Sequence, residues 1–323
     1  MSDLITVEEI ERAQSAQAPQ IRLTPTVPFA DRFEDVGAER LHLKLENLQV
    51  TGSYKARAAF HVLRALDPEE RKRGIVMPSS GNFGLAFAFA GRKLGIPVVV
   101  VSSKGLTRFK LEAMQAFGAE VAVAEGYDDR FTSVERIARE RDMVPIRTDS
   151  DRRVGTGHGA IGLEIAEQRP DVDTVLVPVS SGHLIGGIAV AVKSRRPGVR
   201  VIGVQPEGGD AMYRSFRAGE PRSIKSNKTI ADALSATSVH PFAFAHVKAY
   251  VDDMILVQRD QIVNALCLLL NRGKILAEPG GAVPVAAYLA RGDAEWGTTV
   301  AVVSGGNVGQ ESLRELLGSP ASA

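Results

Sequence analysis

"VDTVLVPVSSGHLIGGIAVAVKSRRPGVRVIGVQP" runs from Val172 to Pro206 and reads as strand, turn, helix, strand. Its opening, "VDTVLVPVSS", is a short valine-rich run of the kind that forms a strand covered on both faces. The helix "LIGGIAVAVKSR" follows a turn of small residues, and "VRVIGVQP" repeats the strand pattern. A strand, a crossover helix and a second strand make a parallel pair. The alternation extends outward in both directions. Upstream come a helix in "TVEEIERAQSAQAPQI", capped by Thr6 with Glu9 three residues on, a strand in "RLHLKLEN" and a helix from about Tyr54 to Ala65. A strand ends at "IVMPSS", a helix spans Gly84 to Gly95, and "IPVVVVSS" is a buried strand. "TRFKLEAMQAFG", "AEVAVAEG" and "DRFTSVERIARER" read as helix, strand, helix, and "HGAIGLEIAEQR" is helical with His158 just before it. Downstream, "IVNALCLLLNRG" is a helix, "TTVAVVSGG" a strand and "GQESLRELLG" a helix. This is an α/β chain with parallel sheets and helices on both faces.

The 323 residues, 44% of them hydrophobic, suffice for two domains. A formal net charge of +1 argues against nucleic acid or an anionic membrane as partner. The single cysteine, Cys267, excludes an internal disulfide, and in "ALCLLL" it reads as a buried inert thiol. The amino terminus lacks an apolar signal core, and no apolar stretch is long enough to span a bilayer, so the expected location is the cytoplasm. There is no internal repeat, and no spare length at the carboxyl end for a regulatory domain.

Several turns that lead into helices are rich in glycine and serine: "PSSGNFG" (Pro78 to Gly84), "PVSSGHLIGG" (Pro178 to Gly187), "EPGGA" (Glu278 to Ala282) and "VSGGNVG" (Val303 to Gly309). In open α/β sheets, ligands bind beyond the carboxyl ends of the strands. Glycine there lets backbone approach a ligand, and a helix start offers free N–H groups to an anion. Together the turns point to a phosphate-bearing ligand, although each alone could simply close a tight turn. Neither a "GxxxxGK[ST]" loop nor a strand followed by "GxGxxG" is present, which removes the common nucleotide sites. The six histidines form no "HExxH", so a zinc site has no support. His42, His61 and His158 read as satisfied structural or surface residues.

Lys55, in "TGSYKARAA", opposes the dipole of the helix that it starts. It suits either a Schiff base or a phosphate contact, and also an ordinary snorkelling lysine. The wider pattern separates these readings. "LKLENLQVTGSYKARAA", "SSGNFGLAFAFAGRKLGIP", "VPVSSGHLIGG", "GVQP", "EPGGA" and "VSGGN" occur in an order and spacing that covers Thr24 to about Gly309. In these motifs the chain resembles the fold type II pyridoxal-phosphate enzymes of the threonine dehydratase and serine racemase group. The resemblance implies two open, twisted, mostly parallel sheets flanked by helices. It also implies a large cofactor-binding domain of residues 1–50 and 151–323 and a small domain of residues 51–150.

By the same resemblance, Lys55 would form the Schiff base with pyridoxal 5'-phosphate and take the Cα proton. Asn82 would bond the cofactor's 3'-oxygen. Ser79, Ser80, Gly81 and Asn82 would cradle the substrate carboxylate, and Ser180, Ser181, Gly182, His183 and Leu184 would wrap the phosphate. Ser304 would face the pyridine nitrogen with Glu278 close by. The implied reaction removes water from a β-hydroxy amino acid, by default L-threonine or L-serine, and yields a 2-oxo acid and ammonia. Ser80 also permits the alternative of a racemase, since the matching serine reprotonates Cα in racemases of this group. Further alternatives are a dehydratase for 3-hydroxyaspartate, phenylserine or an ectoine-breakdown intermediate, a β-replacement enzyme, and a non-catalytic cofactor-binding homologue. A homodimer is implied as well.

The chain departs from the group in places. Serines and His183 stand where relatives have a run of glycines, and His183 could add positive charge near the phosphate. Phe83 replaces the histidine usual in "SSGNH", and Leu85 a common glutamine. Gln205 replaces the glutamate of "GVEP" and Ala211 stands for an aspartate, so no metal site is expected, with Asp210 and Glu207 the remaining nearby carboxylates. A substrate β-carboxylate would want a cation, for which Arg108, Arg130, Arg152 and Arg153 are the candidates.

Overall fold

The computed structural model describes residues 4–17, 19–29, 40–79, 81–104, 106–126, 129–292 and 296–318. The chain begins with α1 (Val7–Gln17), β1 (Thr26–Pro28), β2 (Leu41–Leu45), α2 (Lys55–Arg64) and α3 (Pro68–Arg73). At α1 the expected cap forms: Glu9 N donates to Thr6 Oγ1 (3.3 Å) and Thr6 N to Glu9 Oε2 (2.9 Å). Next come β3 (Ile75–Pro78), α4 (Asn82–Leu94), β4 (Val98–Ser103), α5 (Arg108–Ala116), β5 (Glu120–Ala124), α6 (Asp129–Arg141) and β6 (Val144–Pro145). The second half runs α7 (Arg152–Gln168), β7 (Thr174–Pro178), α8 (His183–Arg195), β8 (Arg200–Pro206), α9 (Ala211–Ala218), α10 (Pro241–Tyr250) and β9 (Asp253–Val257). It closes with α11 (Arg259–Asn271), α12 (Pro279–Arg291), β10 (Thr299–Val303) and a last helix, Gln310–Gly318.

The strands form two sheets, a six-stranded one in the order β1-β2-β10-β7-β8-β9 and a four-stranded one in the order β5-β4-β3-β6. Every pairing is parallel except β1 with β2. The two-residue period of a strand sends neighbours to opposite faces. In the larger sheet Leu176, Ala301 and Val303 enter the core under α11 and α12, while Val175, Val177, Val300 and Val302 pack on α7 and α8. In the smaller sheet Ile75, Met77, Val98 and Val100 meet α2 and α4, and Val76, Val99 and Val101 meet α6. Burial on both faces is why these strands read as continuous valine runs.

The structure corrects several boundaries. α7 begins at Arg152, so His158 lies inside this helix and not before it. α4 begins at Asn82. α3, α10, β6 and β9 carry no clear periodic signal, β6 being only two residues long, while α9 is amphipathic but only eight residues long. Cys267 is half-buried, not buried. Among the described residues no helix is long and apolar enough to cross a membrane.

Candidate active site

A cavity of about 630 Å³ opens where the carboxyl ends of β3 and β7 meet, with Pro78 and Pro178 in its lining. Lys55 is the first residue of α2 and lines this cavity. The larger sheet fixes its place: Tyr54 N donates to Ser304 O at the end of β10 (3.0 Å), and Ser53 bridges Gly305. The Lys55 Nζ lies 4.1 Å from the centre of the Phe83 ring and 5.4 Å from that of Tyr54. Burial against these rings pulls its pKa down to about 8, with Glu278 opposing the fall. Such an amine has a far larger neutral fraction near physiological pH than an ordinary lysine, which suits a base or nucleophile.

Two residues further along α2, Arg57 locks the helix from beneath. It is 1% exposed. Its Nε and Nη2 donate to Glu46 (2.8 and 2.7 Å), and its Nη1 and Nη2 to Glu164 of α7 (2.6 and 2.9 Å). Lys44 of β2 completes the cluster on Glu164 Oε2 (2.5 Å). Burial works against these charges, yet the two carboxylates outweigh it at Arg57 and raise its pKa. The sequence motifs contained Lys44, Glu46 and Arg57, but nothing in them pointed to Glu164.

Two helix starts face the cavity, α4 behind Gly81 and α8 behind Gly182, and neither glycine supplies a side-chain cap. Their first N–H groups have no intrahelical acceptor, which makes each an anion cradle. Gly182 sits at φ +98°, and a Cβ there would meet Met212 Cε at 2.5 Å, so only glycine fits that turn. Ser180, Ser181, Gly182, His183 and Leu184 line the cavity on this side, and Ser180 Oγ also accepts from Ala236 N (3.3 Å). Ser79, Gly81 and Asn82 line it at α4, where Ser79 Oγ accepts from Gly84 N (2.9 Å). Ser80 lies outside the described residues. His183 does not bring a positive charge in the protein alone, because burial holds its pKa down at about 4, helped by His240.

Glu278 and Ser304 are buried behind the lining rather than in it. Asn82 Nδ2 donates to Glu278 Oε1 (2.7 Å), and Asn82 Oδ1 accepts from Asn307 (2.9 Å). Glu278 Oε2 is buried with no partner, and burial raises the pKa of this carboxyl to about 7, with Asp232 adding to the rise.

Other lining residues had no signal in the sequence. Asn227, Thr229, Asp232 and Ser235 come from the segment after α9, Thr148 and Asp149 from the one before α7, and Lys110 from α5. Lys110 is buried and donates to Asp232 (3.1 Å). Of the candidate arginines, Arg130 lines the cavity, whereas Arg108, Arg152 and Arg153 pair with Glu112, Glu9 and Asp151. The Gln205 amide is spent on backbone, donating to Val179 O and Gly209 O and accepting from Tyr213 N. Asp210 pairs with Arg214 (2.8 Å). Phe83 forms the wall over Lys55, and Leu85 is in the core. The largest departure from expectation is His158, which lines the cavity, 1% exposed, with neither ring nitrogen partnered.

The family model described as "Pyridoxal-phosphate dependent enzyme" matches residues 18–305. The chain belongs to this family of pyridoxal-phosphate-dependent enzymes. It is 38% identical over 307 residues to the L-threonine ammonia-lyase of Thermotoga maritima, covering 94% of this chain and 76% of that one. It is 35% identical over 318 residues to the catabolic L-threonine dehydratase of Escherichia coli K12, covering 97% and 96%. Among solved structures, maize serine racemase superposes with a TM-score of 0.91 at 32% identity, over 96% of each chain. The site suits the family's cofactor. An uncapped helix start can take a phosphate, a buried amine of lowered pKa can take an aldehyde, and Glu278 Oε2 is a buried acceptor still without a partner.

Proposed function

We propose that this chain is a pyridoxal-phosphate-dependent ammonia-lyase that removes water from a small β-hydroxy amino acid, L-threonine or L-serine by default, to give a 2-oxo acid and ammonia. The observation that carries the reading is the buried Lys55 amine, lowered to about 8, in a cavity faced by two helix starts that follow glycines. The curated relatives, named for action on L-threonine, support the substrate class.

In this reading Lys55 holds the cofactor, and Ser180, Ser181, Gly182, His183 and Leu184 hold its phosphate through the start of α8. Asn82, which keeps a second Nδ2 hydrogen beyond its bond to Glu278, serves the ring oxygen. Ser304 and Glu278 serve the ring-nitrogen side. The cofactor, when bound, supplies an electron sink for negative charge at Cα. Ser79, Ser80, Gly81 and Asn82 hold the substrate carboxylate at the start of α4. Lys55 Nζ, in its neutral form, takes the Cα proton. Phe83 and Tyr54 exclude water from the amine and so keep it basic without a charge. The β-hydroxyl leaves as water with the proton that Lys55 has taken, and the released enamine tautomerises and hydrolyses to 2-oxo acid and ammonia.

The same reading takes residues 51–150 as a small domain over a larger one, a homodimer as the assembly and the cytoplasm as the location. A racemase is the second reading, favoured by the likeness to maize serine racemase. The test gives the cofactor-loaded protein both enantiomers of serine, threonine, 3-hydroxyaspartate and phenylserine, and reads ammonia, 2-oxo acid and enantiomer ratio together. Release of both products from at least one substrate is expected. Inversion without ammonia would replace the lyase by the racemase, and silence on all eight would sink both.

A further inference from the structure

His158 is a polar side chain of the cavity wall that the reading above does not use, and it is buried without a hydrogen-bond partner. His158 sits on α7 between Gly157 and Gly159, and a Cβ at Gly157 would come within 2.9 Å of Ala58 Cα in α2. This close approach of two helix backbones brings the imidazole against the residues around Lys55. Its ring lies edge-on to Tyr54 at 4.6 Å and tilted against Phe83 at 6.0 Å, the ring that Lys55 Nζ covers at 4.1 Å. His158 is 1% exposed, yet Nδ1 and Nε2 both lack a hydrogen-bond partner. Orphaned buried nitrogens are costly, and a site that keeps them offers a place for a ligand's polar group.

We propose that His158 contacts the substrate and holds its β-hydroxyl beside Lys55, which makes it the residue that selects hydroxylated substrates. This rests on the lyase reading, in which the substrate's carboxylate goes to the start of α4 and its amino group to the cofactor. The group left over is the hydroxyl. Its chemistry matches the ring: burial keeps His158 neutral. A neutral imidazole presents a donor at one nitrogen and an acceptor at the other, and a hydroxyl can bond to either. A second carboxylate would find only one donor here. His158 has no hydrogen bond to Lys55 itself, so both of its nitrogens stay open to a substrate oxygen.

The test uses the holoenzyme and two ligands that lack an amino group and so cannot turn over, 3-hydroxypropionate and propionate. Calorimetry should give an affinity ratio of about tenfold in favour of the hydroxy acid, the size of one modest hydrogen bond. His158→Leu and the volume-filling His158→Phe should bring the ratio close to one. His158→Gln, whose amide also donates and accepts, should restore much of it. Cofactor absorbance of each variant verifies folding, and a variant that loses cofactor leaves the decision to the other two. A ratio near one in the wild type, or a ratio unchanged in the apolar variants, overturns the proposal. The substrate panel run in parallel separates the two ideas. Ammonia release with a ratio indifferent to His158 removes the hydroxyl contact and leaves the lyase. A ratio that collapses in the apolar variants without ammonia release from any substrate keeps the contact and removes the lyase.

Discussion

At Lys55, chemistry depends on a proton that the surroundings discourage. The amine is lowered to about 8 by burial, and Glu278 holds it up against a further fall. Cofactor capture needs the neutral amine, whose fraction grows as pH rises through the pKa. The rate at which apoprotein takes up pyridoxal phosphate should therefore rise with a midpoint near pH 8, followed by cofactor absorbance. A midpoint near 10.5, that of an ordinary lysine, would mean that the amine is solvated. Glu278→Gln removes a negative charge and should move the midpoint lower, while Lys55→Ala should abolish both uptake through the lysine and turnover. An unmoved midpoint in Glu278→Gln would show that this carboxyl does not act on the amine.

At the scale of elements, the site is held by helices that touch backbone to backbone. A Cβ on Gly187 of α8 would lie 2.2 Å from Gly155 O of α7. Gly187→Ala should cost about 1–3 kcal/mol or more, as overpacking does, whereas Gly198→Ala, with nothing within 4 Å of its Cβ, should stay within about 0.5 kcal/mol of the parent. Urea denaturation of the apoprotein compares them, and equal losses would refute the close contact. The buried cluster of Lys44, Arg57, Glu46 and Glu164 joins β2, α2 and α7. Glu164→Gln leaves buried positive charge unbalanced and should cost about 3–5 kcal/mol. A loss below about 1 kcal/mol would be that of a surface pair.

For the whole molecule, neither sheet makes the cavity alone. The start of α4 follows a strand of the smaller sheet and the start of α8 a strand of the larger, and Lys55 stands between them. The proposed homodimer belongs to this scale. Leu48 (46% exposed) and Leu276 (45%) flank a link in which Asn47 Nδ2 donates to Leu276 O, an apolar surface that pairing could cover. Sedimentation equilibrium should give twice the 34.6 kDa chain mass, and a single-chain mass at micromolar protein would remove the dimer from the reading.

The sequence by itself determined the α/β class, the helix that begins at Lys55, the glycine turns ahead of α4 and α8, and the family. These depend on local signals: valine runs, small residues at strand ends, and motifs whose spacing survives in a linear chain. The elements β6 and α10 escaped because packing, not periodicity, makes them, and α9 because eight amphipathic residues are a short signal. Tertiary structure alone decided the rest. It gave Arg57 its partner Glu164, made His183 a neutral imidazole, and turned His158 from a residue ahead of a helix into a buried, unpartnered one at the cavity wall. Each of these depends on burial and on contacts between residues far apart in sequence. Charge state and hydrogen-bond satisfaction are set by the dielectric and the neighbours that folding supplies, which no short stretch of sequence contains.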